Sequence, residues 1–174
     1  ENGTGPKPVL TDYVATRWYR APEILLGATN YTKAVDTWAV GCVLGEMFNG
    51  RAIFPGTSTM NQLERIIEVV NPSDEDKAST DSPFAKTMLT SVPQPRPRPL
   101  ESMFPNATKE GLDLIRKCLQ FNPKNRISMD EAIQHPYLAQ FHNASNEPIA
   151  SRPVQIMIDD NKKYAAADYR ERLY

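Results

Sequence analysis

The sequence predicts a mainly α-helical fold, and three stretches carry that prediction. Residues 33–48, KAVDTWAVGCVLGEMF, are apolar nearly all round, as a helix buried on most sides must be. Residues 58–70 set Met60, Leu63, Ile66, Ile67 and Val70 on one stripe at helical spacing. Residues 108–121 do the same with Leu112, Ile115, Cys118 and Leu119, with Thr108 placed to cap the first turn.

The chain's 174 residues suit one domain or a piece of a larger one. Apolar residues make up 40% and charged residues 24%, as in an ordinary globular protein. Twenty Lys and Arg against 21 Asp and Glu leave a net charge of -1, which gives no bulk drive toward nucleic acid or an anionic membrane. No apolar run is of membrane length, and no signal peptide is visible. Cys42 and Cys118 each sit in an apolar helical pattern, so buried free thiols are expected rather than a disulfide. His135 and His142 are isolated in sequence, and no metal-type Cys/His cluster occurs.

Taken in order, residues 1–23 read as a long loop, a length that is uncommon unless the loop carries a site. The helix of residues 33–48 is the expected spine, and Asp36 near its start fits two roles. It is either a buried carboxylate that needs a partner or a charge favoured by the helix macrodipole. The second helix stops at Asn71-Pro72. Residues 71–104 break the pattern with SDEDKASTDS and PQPRPRP, leaving room for a short helix around Phe84–Leu89. The alternating prolines favour a stiff extended connector, and they lack the PxxP spacing of an SH3 ligand. Ser128-Met-Asp-Glu131 has capping-box spacing and opens a helix that ends at His135-Pro136. Val154, Ile156 and Ile158 alternate as in an extended segment, and residues 159–174 could form a helix carrying Tyr169 and Leu173.

The chemistry concentrates in residues 11–23, TDYVATRWYRAPE. Thr11 and Tyr13 place two hydroxyls in a loop close to Arg17 and Arg20. Phosphate on such hydroxyls creates anions that guanidinium groups grip bidentately, a physical basis for an order–disorder switch.

The same string resembles a protein-kinase activation segment closing on Ala-Pro-Glu, and Thr-x-Tyr ahead of VATRWYRAPE narrows the resemblance to the mitogen-activated protein (MAP) kinases. Asp36-x-Trp38-x-x-Gly41, FPGTSTMNQL and FNPKNRISMDEAIQHPYL follow in the family's order. The closing IDDNKKYAAADYRERLY resembles the atypical branch of the extracellular-signal-regulated kinases. The resemblance implies the helical C-terminal lobe of the two-lobe α+β kinase fold. Residues 1–23 would be the activation segment and 24–138 helices F to I, with an insert at about 71–104. Residues 139–174 would be a C-terminal extension packing back on the kinase.

Carried over to this chain, the resemblance makes Thr11 and Tyr13 the dual phosphorylation sites, with Arg17 and Arg20 receiving phosphate on Tyr13. Thr16 would hydrogen-bond the catalytic aspartate beside a substrate pocket that prefers proline. Asp36 would anchor the catalytic-loop backbone, and Glu23 and Arg126 would form a buried ion pair. Leu25, Leu26, Met60 and Leu63 would line a docking pocket for aromatic motifs, with Met88 in place of an aromatic. Simple packing is the competing role for these side chains. Asn143 and Asn146 stand where the family places aspartates for basic docking peptides, leaving Glu147.

Phosphoryl transfer requires a glycine-rich loop, a strand lysine, a catalytic Asp and Asn, and Asp-Phe-Gly; these 174 residues contain none of those motifs. The resemblance therefore implies a parent serine/threonine kinase that uses ATP and Mg, with this chain alone inactive and binding neither. Expected partners are protein substrates, an upstream kinase or self-phosphorylation, and phosphatases. Neither nucleic acid nor membrane is expected, and the chain is expected to be an intracellular monomer. A rival function is a non-catalytic protein-binding module built from a kinase lobe.

Overall fold

Helix α1 (Pro22–Leu25) begins with a proline at its first turn, where no amide donor is needed. Helix α2 (Ala34–Asn49) follows and closes on Gly50, whose φ of 68° suits the residue after a helix end. Helix α3 (Thr59–Val70) is capped by Ser58, which accepts the Asn61 N–H at 3.1 Å, and ends on Asn71 in the left-handed region. The computed structural model describes residues 16–93, 95–152 and 162–173. Among these the secondary structure is helical, with no strand. The chain divides into two compact units, Glu1–His142 and Asn143–Tyr174.

In the first unit, α2 packs across α7 (Lys109–Cys118). Gly41 makes this crossing possible: a Cβ there would stand 2.7 Å from that of Cys118 and 2.8 Å from a Leu119 methyl. Trp38, fully buried, stacks on Phe54 at 5.8 Å, and Leu63, Ile66 and Ile115 complete the centre of the core. The α2 helix is not buried on most sides, as its composition leads one to expect. Val40, Val43 and Met47 are 43%, 49% and 76% exposed, and Asp36 on the same stripe is also exposed. These positions are spaced by four, three and four residues, so they share one open face. Asp36 is consequently not a buried carboxylate among the described residues.

The segment after α3 holds more helix than its polar composition indicates. Besides α5 (Ala85–Ser91), which covers most of the expected short helix, it forms α4 (Asp74–Ala78) and α6 (Leu100–Met103). A reciprocal capping box builds α4: Ser73 Oγ accepts the Asp76 N–H, and the Asp76 carboxylate accepts the Ser73 N–H, both at 3.1 Å. Three acidic residues in its first turn add favourable interaction with the helix dipole. Such a helix has no apolar periodicity to betray it.

Thr108 caps α7 by accepting the Gly111 N–H at 3.1 Å, and Leu114 joins Ile115 and Cys118 on its buried face. Ser128 and Glu131 form the capping box of α8 (Met129–Ile133). Hydrogen bonds from Ser128 hold the Glu131 carboxyl below its ordinary range. Cys42 and Cys118 are free and buried. Burial pushes the Cys118 thiol up to about 11 and the Cys42 thiol higher still.

In the second unit, α9 (Ala166–Leu173) carries Tyr169, whose ring meets Tyr164 edge-on at 5.6 Å. Val154, Ile156 and Ile158 lie outside the described residues.

Candidate functional site

Thr11 and Tyr13 lie outside the described residues, so the site is built from Thr16 onward. Residues Arg17–Tyr19 form one tight turn, closed by the Tyr19 N–H donating to the Thr16 carbonyl at 3.1 Å. The turn sets Arg17 and Arg20 three residues apart, joined by Arg20 N–H to Arg17 C=O at 3.1 Å. Thr16 is exposed.

Contacts from distant parts of the chain hold this turn in place. Tyr19 donates its hydroxyl proton to Glu46 of α2 at 2.6 Å, and that hydrogen bond to the carboxylate raises its phenol above the ordinary value. Trp18 Nε1–H donates to the Gly56 carbonyl at 3.1 Å. Gln62, fully buried on α3, completes the latch. Its Nε2 donates to the Trp18 carbonyl at 3.3 Å, and its Oε1 accepts the Gly56 N–H at 3.0 Å. A buried amide that satisfies both ends in this way stabilises one arrangement of the loop. Gly56 must be glycine here, because a Cβ would come within 2.7 Å of the Gln62 Cα.

Arg17 has donor capacity to spare. Its Nη1 makes a long 3.4 Å contact to the Thr57 carbonyl, while its Nε is buried without a hydrogen-bond partner among the described residues. Buried donors are usually satisfied, so this one stands out.

Behind the turn, α1 is pinned to the loop after α7. Arg126 grips both carboxylate oxygens of Glu23, Nη1 to Oε1 at 2.7 Å and Nη2 to Oε2 at 2.6 Å. The remaining guanidinium donors reach the carbonyls of Ala34, Gln120 and Phe121, and the group lies 5.2 Å over the Trp38 ring. Both side chains are almost fully buried. A buried pair needs this complete set of partners to offset desolvation.

Leu25, Leu26 and Leu63 are 6%, 0% and 0% exposed and belong to the core, whereas Met60 and Met88 pack against it partly buried. These three leucines therefore take part in core packing. Asn143 accepts the Ser145 N–H at 3.2 Å and donates its own N–H to Glu147 at 2.9 Å, a local turn within the second unit. His135 is not isolated in space. Its Nδ1 accepts the Tyr137 N–H at 3.3 Å, which leaves Nε2 to donate to Asp113 at 2.9 Å. Lys117 reaches the same Asp113 oxygen at 2.7 Å.

Residue reading missed Tyr19, Glu46, Gly56 and Gln62 as site-positioning groups. The one local signal was Gln62 sitting among the buried positions of an apolar helix. Among the described residues no group of three His, Cys, Asp or Glu could hold a metal ion, and no helix is long and apolar enough to cross a membrane.

The model of the protein kinase domain matches residues 2–138. The chain is 58% identical over 168 residues to Extracellular signal-regulated kinase 2 of Dictyostelium discoideum, covering 96% of this chain and 46% of that protein. It is 46% identical over 169 residues to Mitogen-activated protein kinase 15 of Xenopus laevis, covering 96% of this chain and 29% of that protein. The chain belongs to the MAP kinase family. It spans less than half the length of these kinase relatives. The similarity to Mitogen-activated protein kinase 15, also seen with the Caenorhabditis elegans protein at 45% over 168 residues, agrees with the atypical branch. The described helices are those of a kinase C-terminal lobe, and the turn at residues 16–20 leads into α1.

Proposed function

We propose that this chain is the C-terminal lobe of a proline-directed serine/threonine MAP kinase, which transfers the γ-phosphate of ATP to protein hydroxyls. Phosphorylation of Thr11 and Tyr13 switches that kinase on, and Arg17 with Arg20 receives the phosphate on Tyr13. Arg17 carries the reading: its buried Nε lacks a partner among the described residues, on a turn fixed by Gln62, Trp18 and Tyr19. A fixed guanidinium with unused donors is suited to a phosphate dianion.

The open face of α2 supports the same reading. Asp36, Val40, Val43 and Met47 form a mixed acidic and apolar stripe, and exposed apolar groups gathered on one face call for a cover. In the parent kinase this cover is the catalytic loop and its neighbours, with Asp36 anchoring the loop backbone and Thr16 beside the catalytic aspartate. ATP and Mg are the cofactors of the parent kinase in this reading.

Activity of the full-length kinase toward a Ser-Pro peptide tests the switch. Thr11→Ala with Tyr13→Phe should lower kcat/KM by about 10³-fold or more. Unchanged activity in that double variant would sink the assignment.

A further inference from the structure

Among all 174 residues, Ser82 is the sole serine or threonine followed by proline. It lies in the turn that leads into α5, flanked by exposed Asp81 and Pro83, with Phe84 65% exposed beyond them. The dipeptide therefore sits in an accessible turn rather than inside a helix. Ser82 itself is half-buried, because its hydroxyl tethers the insert to the lobe. The Oγ–H donates to the Leu26 carbonyl, at the end of α1, at 2.5 Å, and Oγ accepts the Phe84 N–H at 3.2 Å. A further polar contact joins the same two regions, Asn30 Nδ2 to Asp81 Oδ2 at a long 3.4 Å, and Ala85 and Leu89 share the buried core with Leu25 and Leu26.

Ser82 also lines a cavity of about 680 Å³ with Lys77, Lys86, Asp74, Thr80 and Thr90. Lys77 already pairs with Asp74 at 3.2 Å. The cavity thus brings the ammonium groups of Lys77 and Lys86 and two threonine hydroxyls, together with the Asp74 carboxylate, beside Ser82, whose own hydroxyl is directed to the Leu26 carbonyl.

We propose that Ser82 is a proline-directed phosphorylation site whose modification releases the insert from the end of α1. In the transfer, Ser82 Oγ bonds to the γ-phosphorus of Mg-bound ATP supplied with the modifying kinase. The bond from that phosphorus to the ADP oxygen breaks, ADP leaves, and the hydroxyl proton passes to the modifying kinase's base and on to water. The phosphoester oxygen then has no proton to donate to Leu26. A charge of about -2 is also placed beside Asp81 and a carbonyl. Both changes disfavour the tether, while Lys77 and Lys86 attract the phosphate toward the cavity.

The full-length protein is incubated with ATP, Mg and an active proline-directed kinase, and phosphate is mapped by mass spectrometry. Phosphate is expected on Ser82. Pro83→Ala keeps the hydroxyl and its hydrogen bond, and should lower incorporation at Ser82 by about tenfold or more. Melting of the unmodified variant at the wild-type temperature establishes that it folds. Amide exchange across residues 79–91 should quicken about tenfold on phosphorylation, the effect of losing one tethering hydrogen bond. Absence of phosphate on Ser82 while a Ser-Pro peptide is fully modified overturns the site, as does equal modification of Pro83→Ala. Unchanged exchange in the phosphorylated protein overturns the release.

Discussion

Arg126 holds both carboxylate oxygens of Glu23, at 2.7 and 2.6 Å, across 103 residues of sequence. The contact locks α1 to the loop after α7. Leaving either charge alone in that buried site should cost about 3–5 kcal/mol. Glu23→Gln and Arg126→Met are each expected to lower the urea midpoint steeply, with the double variant much less impaired than the sum of the two. Additive losses in this cycle would mean that the pair is not coupled.

Gln62 latches Trp18 and Gly56 together, so its loss should loosen the turn at residues 16–20 before it unfolds the lobe. Gln62→Ala removes the amide that bridges the Trp18 carbonyl and the Gly56 N–H, and should cost about 1–3 kcal/mol. Faster amide exchange at residues 17–20, with α7 still protected, is the expected pattern. Uniform loss of protection in both places would contradict a local latch.

The open stripe on α2 predicts effects that depend on context. In the 174-residue chain, Val43→Ser with Met47→Gln should change stability by no more than about 0.5 kcal/mol per site and reduce self-association. In the full-length kinase the same pair should lower the melting temperature, because both side chains then face a cover. A full-length protein indifferent to the change would rule out packing on this face.

Asp113 is held below the ordinary carboxylate range, first by its hydrogen bond from Lys117 and then by that from His135. A group with a lowered value in the folded state stabilises above its unfolded value, and that contribution fades as pH falls through the folded one. Asp113 is 44% exposed, so solvent screening keeps the effect modest. Asp113→Asn should lower the melting temperature at neutral pH, and the gap from wild type should close on acidification. A gap constant with pH would assign the loss to packing instead.

The helices α2, α3 and α7 were legible because apolar spacing is a local property of the chain. The same holds for the Ser128–Glu131 capping box and the Thr108 cap. Helix α4 escaped notice because a capping box and acidic first turn, rather than any apolar stripe, stabilise it. The hydroxyls and guanidiniums of TDYVATRWYRAPE, on which the proposed switch rests, are visible in the sequence because they stand close along the chain. The sequence by itself determined the family, the helical class and those phosphate-binding candidates. Tertiary structure alone decided that Gln62 joins Trp18 to Gly56, that His135 meets Asp113, and that Leu25, Leu26 and Leu63 serve the core. It also decided that Asp36 lies on the open stripe of α2 with Val40, Val43 and Met47. The physical reason is that burial and hydrogen-bond pairing depend on neighbours distant along the chain, which apolar spacing within one helix does not encode.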